Sequence, residues 1–410
     1  MAFEAATSGL RAASADLDVI GNNVANANTT GFKSSRAEFA DVYATSIFGS
    51  STTATGNGVR LTDVSQQFTQ GTVSFTNNNL DLAVNGDGFF RLSDGGSILY
   101  TRAGAFSSDR EGYLVNSNGQ RLTGFLSDGT GRITGQVGDL QIDMSNIEPL
   151  QTKAVDGALN LDANSAVPAS AWDTSATAPY PPLASTYNNS TSLTVYDSLG
   201  NSHELSLYFA KTAANTWDVH SFVDGAKVDT GDTQPITFQT DGTIADPATA
   251  TWDIEWDPPG AVNPQTVSVS LGDTTQYGSV FGVNSLTQDG YTTGRLAGID
   301  IDSSGIIFGR YTNGQSKGLG QVALANFSNS NGLQPLGDTN WAETYSSGAA
   351  LIGSPGSASL GVVQSGALEE SNVDLTQELV KLILAQRNFQ ANAQTIRAAD
   401  TVTQTIINIR

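Results

Sequence analysis

The two ends of this chain share a pattern that nothing between them repeats. Counting from Phe3, apolar or small residues fall at Phe3, Ala6, Leu10, Ala13, Leu17, Ile20, Val24 and Ala27, in steps alternating three and four. That is the rhythm of a helix seam held over almost four heptads. Towards the other end Leu375, Leu379, Leu382, Phe389, Ala393 and Ile396 keep the same beat, with Gln386 as the one polar interruption. Val402 and Ile406 carry the stripe on after a shift of phase near Ala399. Asp374 with Gln377 has the form of a capping box, and Glu378 adds negative charge to the first turn. Gly9 and Gly21 each cost about 1 kcal/mol in a helix interior. The Ala-rich seams bury little area per residue, so each helix is marginal alone. One amphipathic helix would be ordinary core. Two of matching period at opposite ends predict that the ends pair, in a coiled-coil-like α-helical core.

Between them the signals are those of strands and turns. Leu80–Val84 alternates, Asn85-Gly86 and Asp87-Gly88 are turn dipeptides, and Phe89–Leu92 resumes a strand. Short runs follow at 97–102, 112–116 and 121–125. Thr191–Tyr196 and His203–Phe209 flank the turn Asp197–Asn201 as a hairpin that continues to Trp217–Phe222, and a third set lies at 305–311 and 321–327. Helical periods are absent from about 70 to 365. The fold class expected is multidomain: mainly β domains inserted between N- and C-terminal α-helices. Ser46–Gly58 and Gly353–Gly361 read as loops, and residues 150–190, with Pro168, Pro179, Pro181 and Pro182, as an irregular crossing.

Composition narrows function by exclusion. The chain carries 40 Asp+Glu against 19 Lys+Arg, a net charge of -21, which argues against nucleic-acid binding and against docking on anionic lipid. Without cysteine there are no disulfides, thiolate metal sites or cysteine nucleophiles. The N-terminus lacks the basic-then-apolar form of a secretory signal, and no stretch approaches a membrane span, so membrane insertion is not expected.

Chemical motifs fare no better. Gly318–Ala323 matches G-x-G-x-x-A but opens a strand, not a helix. Asn85–Gly88 lacks the spaced acids and closing Glu of a calcium loop. His203 and His220 have no nucleophile motif beside them. Trp252 and Trp256 read as plugs of a β core. No metal, cofactor or enzymatic activity is expected.

The run Gly21-Asn22-Asn23-Val24-Ala25-Asn26-Ala27-Asn28-Thr29-Thr30-Gly31-Phe32-Lys33 resembles the N-terminal signature of the flagellar rod and hook axial proteins. So do Ser371-Asn372-Val373-Asp374-Leu375 and Ala385-Gln386-Arg387-Asn388-Phe389 near the other end. Leu80–Leu92 with Tyr100–Phe106 and Gly112–Val115 resembles the β domain that rod and hook members share. Leu193–Leu205, with Tyr208-Phe209 and Trp217, is similar to the outer domain of the hook members, which the shorter distal rod members lack.

The resemblance implies a self-assembling extracellular tube that joins rod to filament as a universal joint, exported by the flagellar type III apparatus without a cleaved signal peptide. It implies as partners further copies of the chain, a rod protein, a hook cap, a hook-filament junction protein and a hook-length ruler. The expected organisation is a terminal helical core (1–30 with 368–410), a connecting segment (31–70 with 356–367), an inner β domain (71–146 with 285–355) and an outer β domain (147–284). Subunit packing is expected through the seams Phe3, Leu10, Leu17, Ile20, Val24, Leu375, Leu379, Leu382, Phe389 and Ile396. The signature residues are Asn22, Asn23, Asn26, Gly31, Phe32, Lys33, Asn372, Asp374, Gln386 and Arg387. Two other readings are a distal rod-type axial protein and a secreted β-rich adhesin, which would leave the terminal seams unexplained.

Overall fold

A computed structural model describes residues 2–42, 56–172, 180–228, 234–247 and 250–408. Most of the loop expected at 46–58, and the side chain of Ile406, lie outside the described residues. The chain forms two compact units: Met1–Met144 with Gly298–Arg310 and Ser316–Arg410, and Ser145–Ala297 with Tyr311–Gln315.

In the first unit the ends are helical, as their period predicts: α1 spans Ala2–Ala25 and α2 spans Leu375–Asn408. Among the described residues between them, the sole helical element is the 3-10 turn Ser330–Gly332. A two-stranded antiparallel ribbon, Ser35–Asp41 with Val59–Gln66, follows α1. The main sheet runs in the order Ile306–Tyr311, Ser316–Val322, Arg121–Ser127, Phe89–Asp94, Ser97–Thr101, Asn340–Ala342, Gln334–Gly337. The candidate dinucleotide motif at 318–323 thus lies along a strand.

Its core is aromatic: Phe89 meets Trp341 edge-on at 5.7 Å and Tyr100 meets Phe327 at 4.8 Å, the offset geometry that ring quadrupoles favour. The segment 80–84 departs from its alternating appearance, because Leu82, Ala83 and Val84 are all fully buried. That strand, Leu82–Asn85, pairs with Val362–Ser365 near the other end of the chain, and both of its faces are covered, since Leu82 and Val84 on one side and Ala83 on the other have no exposure. Gly86 and Gly88 take φ of 109° and 124°, which explains the doubled glycines of the turn.

The second unit has two sheets. One orders Asn189–Tyr196, Ser202–Ala213, Thr216–Val223, Gln234–Phe238 and Ile244–Asp246. Its hairpin turn is closed by the Asp197 carboxylate, which accepts the amides of Leu199 and Asn201 at 2.9 and 2.8 Å. The other orders Thr251–Trp256, Gln265–Ser270, Ala154–Asp162 and Thr275–Tyr277, and Gly282–Gln288 also pairs with Ala154–Asp162. One cluster from both sheets fills the space between them, with Trp217 and Phe209 fully buried and Trp252 and Trp256 nearly so.

Candidate functional site at the meeting of the chain ends

The helices run antiparallel. A Cβ added to Gly9 would lie 2.7 Å from Asn392 Oδ1, so that glycine is a point of close approach. Fourteen residues further along α1, Asn23 Nδ2 donates to Glu378 Oε2 at 3.3 Å, fourteen residues back along α2. Midway, Ala385 is buried, and Asp16 feels the charges of Lys381 and Glu378. Burial pushes the Asp16 carboxyl up from its ordinary range, Lys381 opposing and Glu378 reinforcing the shift.

The contact face therefore differs from the apolar stripe read in the sequence. On α1, Ala6, Ala13 and Ile20 are buried, but Gly9, Asp16 and Asn23 alternate with them where Leu10, Leu17 and Val24 were expected. Those three are half-buried, and Phe3 is 57% exposed. On α2, Glu378 and Ala385 are the buried positions and Leu382, Phe389, Asn392 and Ile396 are half-buried. Leu375 and Leu379 are exposed at 45% and 50%, with Val380, Ile383 and Leu384 open beside them. Gln386 and Arg387 are also exposed. One residue of helix turns the face by about 100°, which is all the difference requires.

The signature residues of the N-terminal run, with Asn372 and Asp374, come together at the root of the pair, while Gln386 and Arg387 lie exposed midway along α2. Asn26 Nδ2 donates to the Asn22 carbonyl at 3.0 Å, and Thr29 Oγ1 to Asn26 Oδ1 at 3.1 Å, closing the chain as α1 ends. Asn23 takes the Ser35 amide on Oδ1 and gives Nδ2 to the Ser35 carbonyl, both at 2.8 Å, and so pins the ribbon to the helix. Asn372 does the same from the other end, accepting the Ser34 amide at 2.7 Å and donating to the Gln67 carbonyl at 2.8 Å. Phe32 is half-buried, its amide on the Thr29 carbonyl. Asp374 caps α2 by accepting the amides of Thr376 and Gln377 at 2.9 and 3.2 Å.

Lys33 is the centre of the joint. Its side chain is fully buried, with Nζ 2.6 Å from Glu369 Oε1 and 2.7 Å from the Thr69 carbonyl. Glu369 Oε2 accepts Arg102 Nη1 at 3.1 Å, and Arg102 Nη2 holds the Gly86 carbonyl at 2.9 Å. Oε1 also accepts the Gly71 amide, and the Glu369 carbonyl accepts that of Gly31, so one glutamate ties its own segment to those of Lys33, Gly71 and Arg102. Gly31 has φ 70°, and a Cβ there would sit 2.4 Å from the Ala103 nitrogen. Burial holds the Lys33 amine below its ordinary value against the pull of Glu369, and Arg102 lowers it further. Sequence reasoning missed Glu369 and left Arg102 as one member of a longer motif. Nothing local distinguishes Glu369 from Glu370 beside it.

This arrangement locks segments together and carries no nucleophile–base pair. Among the described residues no group of three or more His, Asp or Glu is placed to hold a metal ion, and no helix is long and apolar enough to cross a membrane. His203 sits between Asp224 and Asp197, and His220 stacks on Trp172 at 3.7 Å, both in the second unit.

Four families match in chain order: flagella basal body rod protein over 3–33, the flagellar hook protein FlgE/F/G D1 domain over 83–156, the flagellar basal body protein FlaE D2 domain over 160–291 and the flagellar basal body rod FlgEFG protein C-terminal region over 364–409. The chain is 40% identical to the flagellar hook protein FlgE of Escherichia coli and 38% identical to that of Salmonella typhimurium, each over the whole of both chains. Identity to the FlgE of Borreliella burgdorferi is 34% over 98% of both. The fold is similar to the crystal structure of the Helicobacter pylori flagellar hook protein FlgE2, with a TM-score of 0.55 at 14% identity over 72% of this chain and all of that one. The chain belongs to the flagellar hook protein family.

Proposed function

We propose that this chain is the structural subunit of the flagellar hook, assembling with copies of itself into a flexible extracellular tube that carries torque from rod to filament. The observation that carries this reading is the outer face of α2. Leu375, Leu379, Val380, Ile383 and Leu384 are each 45–54% exposed, a continuous apolar surface that α1 leaves open. Covering the exposed half of each side chain would contribute on the order of 1 kcal/mol, so several kcal/mol per subunit await a neighbour. Similarity to hook proteins over the full length favours this reading over a distal rod-type protein, and the terminal helix pair favours it over an adhesin.

The subunit passes through the flagellar type III apparatus with its N-terminus uncleaved, while its helices are still unpaired. It then meets a rod protein at one end of the tube, a junction protein at the other, and a cap and length-ruler protein during growth. The test is Leu379→Asp. Its half-exposed side chain leaves the fold intact, and electron microscopy should show curved tubes from the unaltered chain and none from the variant. Normal tubes from the variant would overturn the assignment of this face.

A further inference from the structure

The charge map singles out a second face on the first unit. Residues 145–297 hold seventeen Asp and Glu against four Lys and Arg, a net -13 of the whole chain's -21. By contrast, between Lys317 and Glu369 the only charged residues are Asp338 and Glu343. Within that stretch the strand Leu351–Gly353 pairs on one side with Leu324–Asn326, and its side chains stand open, Leu351 at 65% and Ile352 at 43% exposure.

Neighbouring pieces extend the same surface. The turn after this strand packs Leu360 over Gly353 and brings Val362, 40% exposed, alongside Gly356. On the other side the loop 343–350 closes on itself through the Ala350 amide and Glu343 Oε2, at 3.3 Å, and presents Tyr345 fully to solvent. Apolar side chains on an open sheet edge are a ready template for pairing, the liability that proteins usually blunt with charge or proline. Here the strand itself carries neither.

We propose that this edge, centred on Leu351 and Ile352 and carrying Glu343 as its one charge, is a docking surface for a second copy of this chain. The argument for that occupant is electrostatic. Two molecules each carrying -21 repel wherever acid meets acid, and the repulsion is least where one of them presents a single carboxylate, here Glu343, already occupied by the Ala350 amide. A basic partner would gain little from so sparsely charged an edge and would favour the acidic second unit instead. The contact is heterologous, one copy's edge meeting a different face of the next, as an open polymer needs. The inference rests on the hook-subunit reading and adds a surface to it away from the terminal helices.

The absence of cysteine makes the test direct. Leu351→Cys and Val280→Cys each introduce a single thiol. Val280, 80% exposed in the acidic unit, is the reference. Tubes isolated from cells expressing each variant, and monomer made by dissociating them, are treated with a maleimide dye. The thiol at 351 should react at least tenfold more slowly in tubes than in monomer, and the thiol at 280 at similar rates in both. As a second measurement, Leu351→Asp should keep the monomer's thermal transition while raising the concentration needed for assembly at least tenfold. Equal labelling of position 351 in both states, or unimpaired assembly of Leu351→Asp, overturns this surface and leaves the hook reading standing. Failure of the unaltered chain to form tubes overturns the hook reading and this surface with it.

Discussion

Glu369→Gln is the sharpest probe of the joint, because one carboxylate there answers two buried cations. Its Oε1 takes Lys33 and the Gly71 amide while Oε2 takes Arg102, and the side chains of Glu369 and Lys33 have no exposure. Glutamine keeps the shape but offers a single acceptor and turns an NH2 towards a donor. The ammonium and the guanidinium then face each other without an anion. Removing one member of a buried ion pair typically costs about 3–5 kcal/mol, because the other charge stays desolvated.

The first unit contains a single tryptophan, Trp341, next to the joint through its 2.6 Å bond to Gln66, while Trp172, Trp217, Trp252 and Trp256 lie in the second unit. Fluorine NMR of 5-fluorotryptophan-labelled protein in urea therefore reads the units separately. At a slope of about 2–3 kcal/mol per molar, the Trp341 midpoint should fall by about 1–2 M and the others stay in place. Lys33→Met should cost less, about 2 kcal/mol or below, since Arg102 still neutralises Glu369. A Trp341 shift under about 0.3 M, or Lys33→Met costing as much as Glu369→Gln, would refute the reasoning.

Further outcomes follow from the same geometry. The Lys33 contribution to the first unit's stability should rise with pH towards about 10.5, because the unfolded chain, with its ordinary lysine, holds the Lys33 proton where the folded chain has begun to lose it. The urea midpoint of the unaltered chain relative to Lys33→Met, at stepped pH, should show this slope, which separates it from the opposite contribution of Tyr100, whose hydroxyl is pushed up by burial. Gly31→Ala, forced into the left-handed region against the Ala103 backbone, should cost the first unit about 2 kcal/mol or more, read as a lower urea midpoint. Asp374→Ala strips the amides of Thr376 and Gln377 of their acceptor and should cost about 1 kcal/mol, visible as earlier loss of helical circular dichroism on heating. Added salt should promote assembly, measured by light scattering, until repulsion between subunits of charge -21 is screened; a polymer favoured by low salt would contradict the charge argument.

What was legible in the sequence was local, and what was not was relational. A three-four rhythm announces a helix from its own residues, and α1 and α2 formed where it ran. Doubled turn dipeptides announced the turn after Leu82–Asn85 through the positive φ that Gly86 and Gly88 supply. Which side of each helix meets the other is a different matter. Ranking by hydrophobicity puts Leu375 and Leu379 in the seam and leaves Glu378 outside, whereas the structure pairs Glu378 with Asn23 and opens the leucines. Glu369 was invisible because its worth depends on Lys33, Gly71 and Arg102, hundreds of residues away. The parallel pairing of Ala154–Asp162 with Gln265–Ser270 was hidden for the same reason.

One detail of the sequence acquires its meaning only from the pairing register. Gly9 opposite Asn392 and Asn23 opposite Glu378 fix an antiparallel register that sets Ala2 against Ala399. Beyond that point α2 continues to Asn408 with no α1 alongside, an overhang of about 13 Å at 1.5 Å per residue. The apolar stripe of α2 changes phase at the same place, and Val402, past the shift, is 59% exposed. Along the paired length the contact face stays buried, from Asn23, Ile20 and Glu378 at the root to Ala6 near the tip, each at most 5% exposed, while Phe3 stands open. If the chain is the hook subunit, the open apolar face of α2 should therefore be covered, and the ends further ordered, only on assembly; equal protease sensitivity of the ends in monomer and tube would contradict it.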